Sequence, residues 1–333
     1  MKRLSYLLTV VLLFAVSALA GIKRDSMGLL RDSETAFEKR DFDKAAELLS
    51  QAIETNPKLT PAYILRGLAW AGKEKLDAAI ADFSKAIELT PNDERAYLLR
   101  GTAYQEKKEW EKAAADFTEA DHRKPGEAAT LNSRGICYAA LEHQEKAIAD
   151  FSAAVKADPK EARSHQLRGG AYAEKGEKEK ALADYKEAMD LAPNDPLTYL
   201  YRAQLYLLEQ EPEKALADME ELMRRAPDYA GGTNDYAWTL ATNPKDGVRN
   251  GRKAVEYAKK ACHATDYKHA PTLDTLAAAH AEAGDWEEAI RWEKEALELA
   301  EKSHPDDLSG MKDRLALYND KKAYRETPKR EKK

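Results

Sequence analysis

The chain has 333 residues, of which 43% are hydrophobic and 34% are charged, and its formal net charge is −6. This hydrophobic content is well above that of intrinsically disordered chains, so we expect a folded protein with a buried core. The negative net charge argues against nucleic acid or an anionic membrane as the main partner.

Residues 1–20 have the organisation of a signal peptide. Lys2 and Arg3 precede the apolar run LLTVVLLFAVSALA, which ends with small residues at Ala18 and Ala20. Cleavage is predicted before Gly21, so we expect an exported protein, periplasmic or extracellular, with no membrane association beyond this segment. The alternative is an uncleaved N-terminal anchor, although the run is shorter than the roughly 18 apolar residues that a membrane helix needs.

The sequence that follows repeats with a period of 34 residues. Prolines recur at this interval at Pro57, Pro91, Pro125, Pro159, Pro193 and Pro227, alanines at Ala45, Ala79, Ala113, Ala147, Ala181 and Ala215, and glycines at Gly67, Gly101, Gly135 and Gly169. A fixed period in this range is typical of a stacked repeat array. The apolar spacing between prolines is helical, so each unit is predicted to be a helix, a short turn and a second helix that ends near the proline.

Each of these glycines falls inside a predicted helix, where glycine costs about 1 kcal/mol relative to alanine. We expect each glycine to face a small alanine on the partner helix. The two helices then approach closely, and the flanking aromatic side chains fill the grooves.

The repeated pattern resembles the tetratricopeptide repeat, TPR. The third unit carries Tyr97, Gly101, Tyr104, Ala113, Phe117, Ala120 and Pro125, and the second carries Tyr63, Gly67, Trp70, Ala79, Phe83, Ala86 and Pro91. The resemblance implies an all-α solenoid, a right-handed superhelix of about eight helix-turn-helix pairs. It also implies a concave groove lined by the first helix of each pair, and a role in binding other proteins.

Residues 26–227 are predicted to form six regular units, and residues 228–301 two degenerate ones. The interval from Ala215 to Ala254 is five residues longer than the period, which places an inserted loop at 243–251. Residues 302–333 are predicted to form a capping helix, which covers the last apolar face, and a basic tail. The tail from Asp320 contains seven Lys or Arg residues, and we expect it to be solvated.

The only cysteines are Cys137 and Cys262, and more than three repeats separate them. An extended array would hold them apart, so we predict two free thiols. The C-terminal part resembles a block of exported bacterial TPR proteins, in which a cysteine near Asn243 would partner Cys262. This chain has no cysteine there.

Arginines and aspartates also recur at the repeat period. They are Arg66, Arg100, Arg134, Arg168 and Arg202, with Asp82, Asp116, Asp150, Asp184 and Asp218. Charges beside packed glycines must be paired, so we predict a ladder of ion pairs in which each guanidinium meets an aspartate of its own or a neighbouring unit. The alternative is a row of arginines exposed to an anionic ligand.

No catalytic, metal or cofactor site is predicted. Cys262, His263, His269 and His280 are near one another in sequence, but their spacing matches neither a C-x-x-C pair nor an H-E-x-x-H helix. Phosphate-binding glycine loops and nucleophile elbows are absent from the sequence. The carboxylates alternate with lysines, as on solvated helix faces.

The candidate binding residues come from the TPR resemblance, position by position along the first helices. They are Ile64, Leu68, Leu98, Thr102, Asn132, Ile136, Gln166, Gly170, Leu200 and Gln204. None of these positions carries a lysine, so a clamp for a chaperone's terminal carboxylate is not expected. Leu200, Leu207 and Leu208 are predicted to contact the partner, unless the loop at 243–251 or the seventh unit covers them.

The sequence therefore predicts an exported, non-enzymatic scaffold that binds a segment of a partner protein in the groove. One alternative is a module that binds carbohydrate or an envelope polymer, which would need stacked aromatics along the groove. A second alternative is an enzyme with an unrecognised site.

Overall fold

The computed structural model describes residues 24–227, 229–303 and 308–326, and the regular structure of these residues is entirely helical. The predicted signal peptide, its cleavage point and the tail beyond Glu326 lie outside the described residues. None of the described helices is both long enough and apolar enough to span a bilayer.

The helices follow one another in pairs, and a single helix closes the series. They are α1 (Arg24–Glu38), α2 (Phe42–Thr55), α3 (Thr60–Gly72), α4 (Leu76–Leu89), α5 (Glu94–Glu106), α6 (Trp110–Arg123), α7 (Ala128–Ala140), α8 (Gln144–Ala157), α9 (Ala162–Glu174), α10 (Lys178–Leu191), α11 (Pro196–Leu208), α12 (Pro212–Arg225), α13 (Ala230–Thr242), α14 (Gly251–Ala264), α15 (Ala270–Glu282), α16 (Trp286–Ser303) and α17 (Leu308–Asn319). The odd-numbered helices α1 to α15 are the first helices of the pairs. The predicted all-α TPR architecture is confirmed in this order of elements.

The turn inside a regular pair uses one residue in the left-handed conformation. These residues are Arg40, Glu74, Lys108, Glu142, Gly176 and Gln210, again 34 residues apart, with φ between 57° and 76°. After α5, for example, the Glu109 N–H donates to the Tyr104 carbonyl at 2.9 Å, which closes the helix end. Only one of these residues is a glycine, so the sequence carries no turn signal at the other five.

Three of the periodic glycines, Gly67, Gly101 and Gly135, lie against phenylalanine rings of the second helices. A Cβ at Gly67 would be 2.5 Å from the Phe83 ring, and one at Gly135 would be equally close to Phe151. The expectation that these glycines face an alanine is therefore wrong, because the side chain opposite each of them is a phenylalanine. The glycine makes room for the Phe ring, while the periodic alanines are fully buried beside it.

The predicted ladder of ion pairs is confirmed for four Arg–Asp pairs. Arg100 donates to both oxygens of Asp116, at 2.8 and 2.7 Å, and its third nitrogen donates to Ser84 of the preceding unit. The same two-point pairing joins Arg66 to Asp82, Arg134 to Asp150 and Arg202 to Asp218. The aspartates of these pairs are buried, so each pair joins the two helices of one repeat, and the bonds of Arg66 to Ser50 and of Arg100 to Ser84 also reach the preceding repeat.

The chain divides into two compact units, one that ends at Ala171 and one that begins at Tyr172. Each contains one cysteine, and both cysteines are buried and free. Burial raises the pKa of the Cys137 thiol to about 12 and that of Cys262 to about 11. The Cys262 thiol donates to the Thr272 carbonyl at 3.3 Å.

The second unit contains the inserted loop and the cap. Between α13 and α14 the loop forms a short 3-10 helix at Asp246–Val248, and Asn250 caps α14 by accepting from the Lys253 N–H. The cap α17 packs on α15 and α16 and buries Met311, Arg314 and Tyr318.

Candidate functional site

The predicted groove residues differ widely in exposure. Ile64, Leu68, Asn132, Gln166 and Leu200 are buried, Leu98, Thr102, Ile136, Gly170 and Leu207 are half-buried, and Gln204 is exposed. A buried side chain has no surface to offer a partner. The first helices thus use about half of the predicted positions for their own packing.

The buried apolar members belong to the protein core. Ile64 is 3% exposed and Leu68 is fully buried, in one cluster with Phe37 of α1 and Leu99 of α5. Leu200 is 7% exposed and packs with Tyr199 and Leu222. The prediction that Leu200 is left over for a partner is therefore wrong, because side chains of its own and neighbouring helices cover it.

The Asn132 amide is committed inside the first unit. It donates to the Glu161 carboxylate at 2.9 Å and to the Ser164 hydroxyl at 2.8 Å, which links α7 to the start of α9. The same amide was predicted to pair with a partner's backbone. These internal hydrogen bonds take both of its N–H donors, so it has none left to donate to a partner's backbone.

The exposed large apolar side chains of the described residues are concentrated on α11. Leu197 is 36% exposed, Tyr201 38% and Leu208 64%. Together with Gln204 they are spaced by three or four residues, which places all four on one face of the helix. We call these four residues the α11 stripe. Helical periodicity predicted only part of it, since Leu197 and Tyr201 were not among the predicted contacts.

Asp235 of α13 lies beside the α11 stripe. Burial raises the pKa of its carboxyl to about 6, the nearby charge of Glu326 acts in the same direction, and hydrogen bonds from Gln204 and Asn234 oppose the shift. A carboxylate with only amide donors is poorly neutralised. This position therefore favours a hydrogen-bond donor or a cation.

The segment 322–326 continues from α17 onto the first-helix face of the second unit, which is the side presented by α13 and α15. Tyr324 lies 5.9 Å from the Trp238 ring, and the Glu326 N–H donates to the Thr242 carbonyl at 2.8 Å. The indole N–H of Trp238 donates to the Glu326 carboxylate at 3.1 Å. The tail was predicted to be solvated, and for Tyr324 and Arg325 that prediction is wrong, because they are half-buried against Trp238 and Glu282.

A buried charge cluster supports this face from below. Arg314 of α17 donates to both oxygens of Asp274 on α15, at 2.7 and 3.0 Å. Its guanidinium also lies 5.4 Å from the Trp238 ring and 5.5 Å from the Tyr324 ring. The ring of Trp238 is thus held in place by a charge that is itself paired.

The histidines and cysteine near the C-terminus do not converge. His280 lies 3.1 Å from Asp285, and burial lowers the pKa of its imidazole. Within residues 24–227, 229–303 and 308–326, no group of three or more His, Cys, Asp or Glu side chains has the geometry to hold a metal ion.

Comparison with known proteins places the repeats in a family. Residues 71–108 match a family model described as TPR repeat, and residues 134–196 match one described as tetratricopeptide repeat. No curated protein sequence matches at a significant level.

Solved structures show the same fold at low sequence identity. A tetratricopeptide repeat protein from Parabacteroides merdae is 19% identical, with a TM-score of 0.61 over 89% of this chain and 100% of that one. PilF of Pseudomonas aeruginosa is 15% identical, with a TM-score of 0.52 over 61% of this chain and 92% of that one. MamA of Desulfovibrio magneticus is 20% identical, with a TM-score of 0.50 over 53% of this chain and 99% of that one. With its 34-residue period, its helix pairs and these matches, the chain is a tetratricopeptide repeat protein, a member of a family of protein-interaction scaffolds.

Proposed function

We propose that this protein is an exported, non-enzymatic scaffold that holds a segment of a partner protein against the first-helix face of its second unit. The observation that carries the proposal is the α11 stripe. Large apolar side chains that stay exposed on one helix face are a common mark of a protein contact. A solvated face would carry Lys or Glu at these positions.

The polar surroundings of the stripe suggest how the partner is oriented. Gln204, in the middle of the stripe, lies near Asp235, so the apolar side chains of the stripe flank two polar groups. A partner segment would bury its apolar side chains on Leu197, Tyr201 and Leu208, while a donor faces Asp235.

Site-specific cross-linking tests the binding face. A photo-reactive p-benzoylphenylalanine at Tyr201 is expected to capture a defined partner in the producing cell, with mass spectrometry to identify it. The same group at Lys186, an exposed position on the second helix α10, serves as the control. Equal capture from both positions, or none from Tyr201, would remove the stripe as the contact.

Export is supported by the order of charged, apolar and small residues in segment 1–20. N-terminal sequencing of the protein from the extracytoplasmic fraction is expected to begin at Gly21. An intact Met1 on membrane-bound protein would instead favour the uncleaved anchor.

The alternative of a carbohydrate- or polymer-binding module has less support. It needs exposed aromatic faces, whereas Tyr201 stacks on the buried Tyr185 and Trp238 is engaged by the segment 322–326. No observation favours an enzyme.

A further inference from the structure

The residues after α17 are bound in the way that an extended peptide is bound. Main-chain pairing comes from the Glu326 N–H to the Thr242 carbonyl, which the end of α13 leaves without a helical partner. Side-chain recognition comes from Trp238 for Tyr324, and from Glu282 for Arg325 at 2.7 Å. Backbone hydrogen bonds combined with side-chain contacts are the usual elements of peptide recognition.

The surface beneath these residues has supports of its own. Trp238 lies against Arg314, which is fixed by Asp274, and Glu282 is paired with Arg249 at 3.0 Å. None of these supports comes from residues 322–326. We call the surface formed by Trp238, Thr242 and Glu282 the α13–α15 seat, and both of its contacting side chains, Trp238 and Glu282, also have partners outside the segment that covers it.

The contacts of the segment are of a kind that a competitor can replace. Glu326 is exposed, and 37% of the Arg325 side chain is exposed, so its pair with Glu282 is partly hydrated. Its attachment to α17 gives the segment an effective concentration on the order of millimolar, which adds to these contacts. A free segment with better contacts overcomes that advantage.

We propose that the α13–α15 seat is a peptide-binding site, that residues Tyr324–Glu326 occupy it as an internal ligand, and that a partner segment of the same chemistry displaces them. That chemistry is an extended chain with an aromatic residue, then a basic one, then an acidic one. The proposal rests on the proposed function, since it assumes that the first-helix face binds partners. It adds a second contact, because Asp235, Trp238 and Thr242 lie on the same face of α13.

The probe is a fluorescein-labelled peptide, acetyl-KAYRE-amide, which reproduces residues 322–326. It is titrated against the full chain and against a full-chain variant with Tyr324→Ala and Arg325→Ala, in which the internal ligand is weakened. Fluorescence anisotropy is expected to show at least tenfold tighter binding to the variant. Adding Glu282→Gln to that variant is expected to remove most of the gain, and the peptide KAAQE is expected not to bind.

The inference is overturned if the double variant melts like the unsubstituted chain but binds the peptide no more tightly, or binds it independently of Glu282. If the double variant is unstable, hydrogen exchange on the unsubstituted chain decides instead. At millimolar peptide the exchange of the amides in 322–326 is expected to accelerate, and unchanged exchange overturns the proposal. Cross-linking from Tyr201 that persists while the peptide fails would refute the seat and leave the proposed function standing.

Discussion

The surroundings of Asp235 in the folded protein raise the pKa of its carboxyl. Its folded pKa of about 6 lies above the ordinary value, so between about pH 4 and pH 6 the folded chain holds a proton that the unfolded chain has released. The free energy of unfolding therefore falls as the pH rises through this window, and stays level above it.

The substitution Asp235→Asn removes this dependence. We expect the variant to match the original chain near pH 4 and to gain stability above pH 6, by up to about 3 kcal/mol. Denaturant titrations at several pH values measure the difference. Asp190→Asn, an exposed position on α10, is the control. A difference for Asp235→Asn that is constant with pH would contradict the assignment.

Asp116 represents the ladder of ion pairs. Its removal leaves Arg100 with the Ser84 hydroxyl as its hydrogen-bond acceptor, in a place where the aspartate is 4% exposed. We expect Asp116→Ala to lower the free energy of unfolding by about 3 kcal/mol, because an unpaired charge stays partly buried. Glu109→Ala, which breaks solvent-accessible pairs with Lys107 and Lys112, is expected to change the melting temperature little. Similar melts for the two variants would show that the ladder is only a surface feature.

At the scale of single helices, the same substitution should have opposite effects at two glycines. Gly67→Ala drives a Cβ into the Phe83 ring, whereas Gly28 of α1 is exposed and has no neighbour within 4 Å of that position. We expect Gly67→Ala to destabilise by about 1–3 kcal/mol. Gly28→Ala is expected to stabilise by up to about 1 kcal/mol through its helix propensity. Thermal melts of the two variants would disprove the packing argument if both shifts had the same sign.

Substitutions at two leucines of α11 distinguish a role in partner contact from a role in core packing. Leu208 is 64% exposed and Leu200 is 7% exposed. Leu208→Ser is expected to weaken partner capture and leave the melting temperature nearly unchanged, while Leu200→Ser is expected to cost about 3 kcal/mol. A large loss of stability in Leu208→Ser with capture intact would place Leu208 in the core instead.

The helix pairs were predictable because a 34-residue period in Pro, Ala and Gly is a local pattern that needs no knowledge of distant contacts. The same 34-residue period predicted the paired Arg and Asp rows. The groove positions were taken from the TPR resemblance, which does not indicate what a neighbouring first helix covers. For this reason Ile64, Leu68 and Leu200 were assigned to the binding surface although they are buried. The turns themselves were predicted, but the left-handed residues in them, such as Glu74 and Lys108, were not, because charged residues occupy these positions.

At the scale of the whole molecule, the sequence predicted a cap but not the course of the chain after it. Glu326 meets Trp238 across 88 positions, and such a pairing leaves no trace in local composition. The basic character of the tail pointed to solvent. Tyr324 and Arg325 bind to the first-helix face instead, because an aromatic ring and a carboxylate are already fixed there.

Repeats touch mainly their neighbours, so damage in one part of such an array is expected to stay local. Asp274→Ala removes the carboxylate to which Arg314 donates two hydrogen bonds in the second unit, whose core includes Cys262, Leu273 and Met311. We expect this variant to speed alkylation of Cys262 by iodoacetamide and to leave Cys137 at its original rate. Mass spectrometry of the two cysteine-containing peptides gives both rates from one sample. Equal acceleration at both cysteines would mean that the array opens as a whole.

The two buried thiols also have a consequence for the lifetime of the protein. A thiol reacts as the thiolate, and burial both shields each sulfur and raises its pKa, so oxidation has to wait for an opening event. In an oxidising compartment, the irreversible oxidation of each cysteine would therefore increase with the number of times that its own compact unit has opened. The ratio of oxidised Cys137 to oxidised Cys262 in aged protein would then show which of the two units unfolds locally more often.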